Sequence, residues 1–343
     1  MSSPNDLRVK EKFSLSKFLV SWEMILIYIL IFINVALMIL KPDLFFAHGT
    51  IQSIIKSGMD VSFMALGMVF VLMIGEIDIS VASIMIFSCM VMGLMHQSGL
   101  PDVLTVAGGV AAGTLCGLFN GILVAALKIP SVIVTIGTSM LFRGIVQIVL
   151  DVNTLKTFPS WFSALSWQDF GGVVPYSLIC FIVAAAIFAV VLHRRKFGRE
   201  LYIIGNNSTT AEYSGINVRR VKIAVFSIMG ATSALSGILF AGRLGGISSS
   251  MGTGNELLVI AIAVFGGIST NGGKGKAYGP VISVFIMAFL SKTLDLLGVH
   301  SNIQKIIIGI ILLVAVILPN LKNEFADKNK KIKSKQTKIK EEL

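Results

Sequence analysis

The sequence contains little charge. Only 14% of its 343 residues are Asp, Glu, Lys or Arg, whereas 55% are hydrophobic and the mean hydropathy is +0.84. A soluble chain of this length would need a larger charged share to cover its surface, so a soluble globular protein is excluded. Several apolar runs of about 20 residues are each long enough to cross a hydrocarbon core of roughly 30 Å. The composition therefore predicts an all-α polytopic membrane protein.

Cysteine and histidine are also scarce. The three cysteines, Cys89, Cys116 and Cys180, lie in apolar runs without C-x-x-C spacing. This predicts packing residues, and neither a disulfide framework nor a zinc site. The four histidines lie near the ends of apolar runs, without the spacing of paired metal ligands. Because no catalytic constellation is found either, the sequence predicts no enzyme activity, no cofactor and no metal centre.

One glycine-rich segment, GISTNGGKGK from Gly267, has a superficial likeness to a phosphate-binding loop. Ile268 stands where that motif needs a glycine, and Gly275 follows Lys274 where it needs Ser or Thr. We therefore expect no ATP binding by this segment. If the protein is driven by ATP, a separate subunit must bind it.

Ten apolar runs are predicted to span the membrane. Their approximate bounds are 22–40, 59–74, 79–95, 103–127, 131–150, 173–192, 223–242, 257–268, 280–297 and 303–321. The weakly amphipathic segment 41–57 is expected to lie at the membrane interface. Polar segments 1–21 and 322–343 flank the membrane domain, 22–321, and the lysine-rich tail is expected to be disordered.

The distribution of basic residues predicts the orientation. An even number of spans places both termini on one side, and the loops and tails of that side hold 22 Lys and Arg residues against four on the other. Because Lys and Arg are retained in cytoplasmic segments, the termini are predicted to face the cytoplasm. The net charge of +11 then reflects topology and contact with anionic lipid, and does not indicate nucleic acid.

The longest polar interruption, Arg194 to Lys222, is predicted to be cytoplasmic and carries seven basic residues. Thr209 stands three residues before Glu212, which is the spacing of a capping box. The spacing predicts a helix of little more than one turn, ended by glycine in a left-handed conformation. We interpret this short helix as a docking surface. Its candidate residues are Thr209, Thr210, Ala211, Glu212, Ser214 and Gly215, with the helix itself from Thr210 to Ser214.

Ionisable residues within or beside the spans are costly there and indicate function by default. The segment GEIDIS, which contains Glu76, Asp78 and Ser80, is typical of a tight turn and a helix cap at the membrane surface. Arg143 in the fifth run either neutralises one of these carboxylates or lies along a polar path, and both interpretations stay open. Glu256 lies at the mouth of the eighth run.

Two spacings indicate structural roles. Lys292 and Asp295 are three residues apart, so they are predicted to pair on one helix face. The fourth run has glycines four residues apart, a spacing that makes a smooth groove for close helix contact. We interpret this series as internal helix packing, and its members are Gly109, Gly113, Gly117 and Gly121.

Four blocks of sequence resemble the inner-membrane permeases of bacterial ABC importers for ribose and related simple sugars, a group that includes autoinducer-2 permeases. GEIDISVASI is similar to the family's GGIDLSVGSI, with Glu76 and Ala82 in place of glycines. KIPSVIVTIGTSMLFRGI, which contains Thr135, is similar to P-x-x-I-x-T-L-G-T followed by R-G. FGRELYIIGNNSTTAEYSGINVRRVK and GTGNELLVIAIAVFGGISTNGGKGKAYG follow in the family's order.

The resemblance implies a dimer of ten-span permeases, identical or homologous, with two cytoplasmic ATP-binding subunits. It also implies an extracytoplasmic binding protein that delivers a sugar such as ribose or rhamnose. The short helix would be the coupling helix, although Ser208–Ala211 stand where many members have Pro-Glu-Ala-Ala. Six residues would belong to the translocation path or to a structural turn: Glu76, Asp78, Ser80, Thr135, Arg143 and Glu256.

Three other functions are compatible with a polytopic membrane protein. An autoinducer-2 or nucleoside permease is the alternative within the same architecture. An ion-coupled secondary transporter also has glycine-broken spans with buried charges, but it does not need a capped cytoplasmic helix. An intramembrane enzyme would need a recognisable catalytic set.

Overall fold

The computed structural model describes residues 21–314, together with Leu19 and Ile317. The predicted tail, 322–343, and most of the predicted N-terminal segment, 1–21, lie outside the described residues, as does the end of the tenth run. The described helices are α1 (Trp22–Leu40), α2 (Pro42–Phe45), α3 (Thr50–Met73), α4 (Val81–Gln97), α5 (Asp102–Ala126), α6 (Ser131–Leu150), α7 (Ser160–Trp167), α8 (Tyr176–Arg194), α9 (Lys196–Asn206), α10 (Ser208–Tyr213), α11 (Val218–Leu244), α12 (Asn255–Phe265), α13 (Tyr278–Leu296) and α14 (Ser301–Val314). Two-residue strands, β1 (Asp169–Phe170) and β2 (Val174–Pro175), form an antiparallel hairpin between α7 and α8.

Seven of the described helices are long and apolar enough to cross a membrane: α1, α3, α5, α6, α8, α11 and α13. The shorter apolar helices are α4, α12 and α14. The predicted all-α polytopic membrane fold is therefore confirmed, with seven helices of spanning length.

Two helices begin well before the predicted runs. α3 begins at Thr50, so much of the segment predicted to lie at the interface, 41–57, is the first part of a long helix. α11 begins at Val218, because the Asn217 side chain accepts a hydrogen bond from the Arg220 amide at 3.0 Å and caps the helix there. Hydropathy locates the apolar part of a helix, and these two helices continue through polar residues.

The centre of the fold is the crossing of α5 and α11, where the two backbones touch. A Cβ added at Gly117 would lie 2.1 Å from the carbonyl oxygen of Phe226, and one at Gly230 would lie 2.0 Å from that of Gly113. Real Cβ atoms do not approach an oxygen so closely, so only glycine fits. The interpretation of this glycine series as internal packing is confirmed.

The helices differ in how much of their surface the fold covers. In α3 83% of the apolar window is buried, against 17% in α1, 22% in α8 and 28% in α6. The outer helices leave large apolar side chains such as Phe32, Met140 and Ile148 exposed, as expected of faces that meet lipid or another subunit. Cys180 is also exposed on α8, so its prediction as a packing residue is wrong, whereas Cys89 and Cys116 are buried.

Connections between helices collect at the two ends of the bundle. One end, called the basic end below, contains loop 74–80, segment 195–217 with α9 and α10, and loop 266–277. Hydrogen bonds join these connections: the Gly273 amide donates to the Met73 carbonyl at 2.9 Å, and the Tyr202 hydroxyl donates to the Gly275 carbonyl at 2.7 Å.

The opposite end contains loop 151–159, α7, the β1–β2 hairpin and loop 245–254. Leu155 and Ile247 exchange backbone hydrogen bonds of 2.8 and 2.9 Å there. The Trp167 indole donates to the Arg243 carbonyl at 3.2 Å. Segment 151–172 is therefore a structured element tied to α11 and to loop 245–254.

Candidate functional site

The short helix α10 lies at the basic end and presents nearly all its side chains to solvent. Ala211 is its one buried residue, and Tyr213 is 89% exposed. The helix ends because Gly215 takes a left-handed conformation, with φ of +80°. The Ile216 amide then donates back to the Ala211 carbonyl at 3.1 Å, so a compact turn leads into α11.

The cap of α10 differs from the prediction. Asn207, not Thr209, is the N-cap residue: its Oδ1 accepts a hydrogen bond from the Thr210 amide at 3.0 Å. The helix consequently runs from Ser208 to Tyr213, and Glu212 lies too far along it to complete a capping box. The predicted box is wrong because an asparagine two residues upstream of Thr209 offers a short acceptor from extended backbone, which is the preferred cap geometry.

α9 is an amphipathic helix that sequence reasoning missed. Gly198, Leu201 and Ile204, spaced three apart, are buried on one face, while Lys196 and Arg199 are exposed. That spacing is the signal that would have found it. Burial raises the pKa of the Tyr202 phenol, and the Tyr202 hydroxyl donates to the Gly275 carbonyl of loop 266–277.

Loop 74–80, called the hub loop below, is a partly buried turn next to α9. Gly75 has a φ of +75° and turns the chain at the end of α3. The Asp78 carboxylate accepts hydrogen bonds from the Ser80 amide at 2.8 Å and the Ser80 hydroxyl at 2.6 Å. The Asn120 side chain of α5 donates to the same hydroxyl at 2.8 Å. All three side chains are fully buried, so the polar groups connect helices inside one copy of the chain.

The hub loop also holds the start of α6. The Ile77 amide donates to the Ser131 hydroxyl at 3.2 Å. Thr135, one turn further along α6, is buried and donates to the Ser131 carbonyl at 2.8 Å. Of the predicted site residues, the structure therefore brings Glu76, Asp78, Ser80 and Thr135 together at the basic end.

Glu76 pairs with Lys222, the last residue of the polar segment Arg194–Lys222. The Lys222 ammonium, in the first turns of α11, donates to the Glu76 carboxylate, and both side chains are only partly exposed. The structure thus contradicts the interpretation that Arg143 neutralises Glu76 or Asp78. Glu76, Lys222 and Arg143 lie far apart in the sequence. Hydropathy and residue spacing do not reveal which helices are neighbours, or at which end of the bundle a residue lies.

Arg143 and Glu256 lie at the opposite end. The Arg143 guanidinium donates to the carbonyl oxygens of Ser249 and Met251 at 2.6 and 3.1 Å, and so anchors loop 245–254 to α6. Glu256 lies close enough to interact electrostatically with Arg143. Its carboxylate also accepts from the Gly254 amide at the start of α12, where a negative charge is stabilised by the helix dipole.

Two further ion pairs at the opposite end were not predicted. Asp60, buried in α3, accepts from Arg243 at 2.8 and 2.5 Å. Lys56, also buried in α3, lies 2.9 Å from Asp169 and donates to the Trp167 carbonyl at 2.6 Å. Two charged residues inside a helix of spanning length are a sequence signal for buried ion pairs, because an unpaired charge is costly there. They tie α3 to α11 and to the hairpin.

The predicted pair of Lys292 and Asp295 does not form. Asp295 instead accepts from the Gln304 side chain at 2.5 Å, which joins the end of α13 to α14. Among the described residues, no group of three or more His, Cys, Asp or Glu side chains is placed to hold a metal ion. The described polar groups serve to join helices to one another and to present α10.

Comparisons with known proteins agree with this architecture. Residues 50–316 match the family described as branched-chain amino acid transport system / permease component. The ribose import permease protein RbsC of Bacillus subtilis (strain 168) is 36% identical over 263 residues, which are 76% of this chain and 81% of that protein.

Other relatives match over similar lengths. The ribose import permease protein RbsC of Haemophilus influenzae is 33% identical, over 90% of this chain and 95% of that protein. The autoinducer 2 import system permease protein LsrC of Escherichia coli (strain SMS-3-5 / SECEC) is 32% identical over 78% of each. No solved structure matches the chain.

The family match covers well over half of the chain, and the relatives span most of their own length. Members of this family are transport components, and no catalytic family is indicated. With seven helices able to cross a membrane, the chain belongs to the branched-chain amino acid transport system / permease component family, as an inner-membrane permease subunit of an ATP-binding-cassette importer.

Proposed function

We propose that this chain forms the translocation path of an importer that takes up a monosaccharide, and that its solute is ribose or a similar sugar. The names of the relatives support this choice, because they include ribose, L-arabinose and D-allose permeases. An autoinducer-2 solute is the second candidate, since LsrC is nearly as similar to the chain.

The proposed topology has about ten spans with both termini in the cytoplasm, so that the basic end faces the cytoplasm. The count of 22 basic residues against four supports this orientation. Two of the four cations on the other side, Lys56 and Arg243, are paired with Asp169 and Asp60. The membrane domain is taken as 22–321, between the cytoplasmic segments 1–21 and 322–343.

α10 is the proposed docking element for a cytoplasmic ATP-binding subunit. The observation that carries the proposal is its exposure: a capped helix with one buried side chain stands at the end of the bundle, beside exposed Arg219 and Arg220. A protein that drives transport through its own spans has no use for such a helix. A second permease copy or homologue and an extracytoplasmic binding protein complete the proposed assembly.

The remaining site residues divide by location. The hub-loop residues Glu76, Asp78 and Ser80, with Thr135, are buried or partly buried within one copy, so we assign them to a structural turn. Arg143 and Glu256 hold loop 245–254 at the end where the solute would enter, so we assign them to shaping the mouth of the path.

Purification with the ATP-binding subunits of the same organism tests the proposal. Tagged permease in detergent should retain these subunits, and Ala211→Arg should release them, because the buried face of α10 cannot hold a guanidinium. Ala211→Ser is the matched control and should retain them, because it changes the same position without adding a large charged side chain. Reconstituted with a binding protein, the complex should take up at least one of D-ribose, L-arabinose, D-allose and autoinducer-2 only with ATP. A chain that purifies alone and accumulates solute under an ion gradient without ATP would instead be a secondary transporter.

A further inference from the structure

The ion pair of Lys222 and Glu76 joins two parts of the chain that are 146 residues apart. Lys222 is the last residue of the third of the four sequence blocks quoted above. Glu76 stands where the family's first block has glycine, so a chain with that glycine cannot form the pair. The contact therefore depends on the glutamate at this position.

On the side of Lys222, the pair is connected closely to α10. Only residues 214–217 separate α10 from α11, and the hydrogen bond from the Ile216 amide to the Ala211 carbonyl holds that turn compact. Asn217 caps the helix that carries Lys222. Because this connection is short and hydrogen-bonded, a displacement of α10 is expected to displace the start of α11 as well.

On the side of Glu76, the pair is connected to three helices. The next residue, Ile77, is bonded to Ser131 at the start of α6. Asp78 and Ser80 fix the start of α4, and the Ser80 hydroxyl accepts a hydrogen bond from Asn120 of α5. Because these polar groups are buried and bonded to one another, the hub loop transmits a displacement at Glu76 to all three helices.

We propose that the Lys222–Glu76 pair is a positioning contact that transmits the movement of α10 to the hub loop, and through it to α4, α5 and α6. The inference rests on the proposed function, since a bound ATP-binding subunit must move α10. Contiguous contacts between two elements are the physical requirement for such coupling. The partly buried pair, with 21% and 15% side-chain exposure, is less screened by solvent than an open surface pair.

Hydrogen–deuterium exchange on the reconstituted complex measures this coupling without a transported solute. The permease is assembled in nanodiscs with its ATP-binding subunits, and amide exchange is compared with and without ATP plus vanadate. Two peptides are followed: one across α10, 208–215, and one across the hub loop, 74–84. In the wild type both peptides should change their exchange on trapping.

Glu76→Gln and Lys222→Gln should retain the change in α10 and lose most of the change in the hub loop, because coupling between the two elements is weakened. Lys222→Arg keeps the charge and should behave as wild type. The exchanged pair, Glu76→Lys with Lys222→Glu, should restore the response. Lys276→Gln is the matched control, because Lys276 pairs with Glu23 at 2.8 Å, also near the basic end but away from α10.

The possible outcomes distinguish a failure of the Lys222–Glu76 coupling from a failure of the proposed docking of an ATP-binding subunit at α10. If α10 in the wild type does not respond to trapping, no ATP-binding subunit docks there and the proposed function is wrong. If α10 responds but the hub loop responds equally in the wild type and in both single variants, the function stands and the inference is overturned. A hub loop that stays silent in the wild type overturns the inference as well.

Discussion

Gly205 and Met73 are in direct backbone contact: a Cβ added at Gly205 would lie 1.9 Å from the Met73 carbonyl oxygen. The same position would be 2.3 Å from the Gly273 amide nitrogen, and that amide donates to the Met73 carbonyl. α9, the end of α3 and loop 266–277 therefore meet at one point without an intervening side chain. This contact fixes the position of α9, the helix that immediately precedes α10.

Gly205→Ala should destabilise this contact. The added methyl group has no space, so α9 must shift away from Met73, at a cost of about 2 kcal/mol. Thermal unfolding in detergent should show a lower midpoint, and uptake should fall with it. Gly137→Ala on α6 is the control, because nothing lies within 4 Å of its added Cβ. Equal midpoints for the two variants would contradict the contact.

Gly117→Ala should harm the protein more than Gly205→Ala does. Its methyl group would meet the backbone of Phe226 in the middle of the fold, and α5 and α11 must separate along their crossing. We expect a loss of about 3 kcal/mol and a low yield of monodisperse protein in size-exclusion chromatography. Gly144→Ala, a helical glycine with open space around its Cβ position, should give wild-type yield.

Asn207→Ala should weaken α10, because the Thr210 amide loses its acceptor. Loss of an N-cap costs about 1 kcal/mol, a large share of what stabilises a six-residue helix. Co-purification of the ATP-binding subunits should decrease. Thr209→Ala should have little effect, since the Thr209 side chain does not cap the helix. The reverse order of the two effects would favour the capping box over the Asn207 cap.

Arg243→Met should be more damaging than Asp60→Asn. Removing the arginine leaves the Asp60 carboxylate buried without a cation, at a cost of about 3 kcal/mol, whereas the amide variant removes the charge itself. The double variant should recover part of the loss in thermal unfolding. Glu23→Gln, which breaks the more exposed pair with Lys276, should cost less than about 1 kcal/mol. Identical midpoints for Arg243→Met and Asp60→Asn would show that charge burial is not the cause.

Sequence patterns located the helices because a membrane imposes length and hydropathy on each one. The same patterns missed the start of α3, since Lys56 lowers the hydropathy of that part although its side chain is paired inside the fold. They missed α9 as well, because its buried face consists of only a few residues. At α10, Thr209 and Glu212 have the spacing of a capping box, but the stronger cap, Asn207, stands two residues before Thr209.

The partners of the charged residues could not be predicted from spacing. Glu76 pairs with Lys222, Asp60 with Arg243 and Lys56 with Asp169. Each pair joins helices far apart in sequence, so it depends on which helices are neighbours at which end. Hydropathy predicts that a helix crosses the membrane, but it does not predict which other helices that helix contacts.

The charges of α3 also bear on how the protein is made. Lys56 and Asp60 are synthesised 113 and 183 residues before their partners Asp169 and Arg243. At typical elongation rates that interval is roughly 6 to 40 s, and an unpaired charge within a membrane-spanning helix costs about 3 kcal/mol. Until β1 and α11 have been synthesised, Lys56 and Asp60 lack these partners. α3 therefore completes its contacts only late in translation.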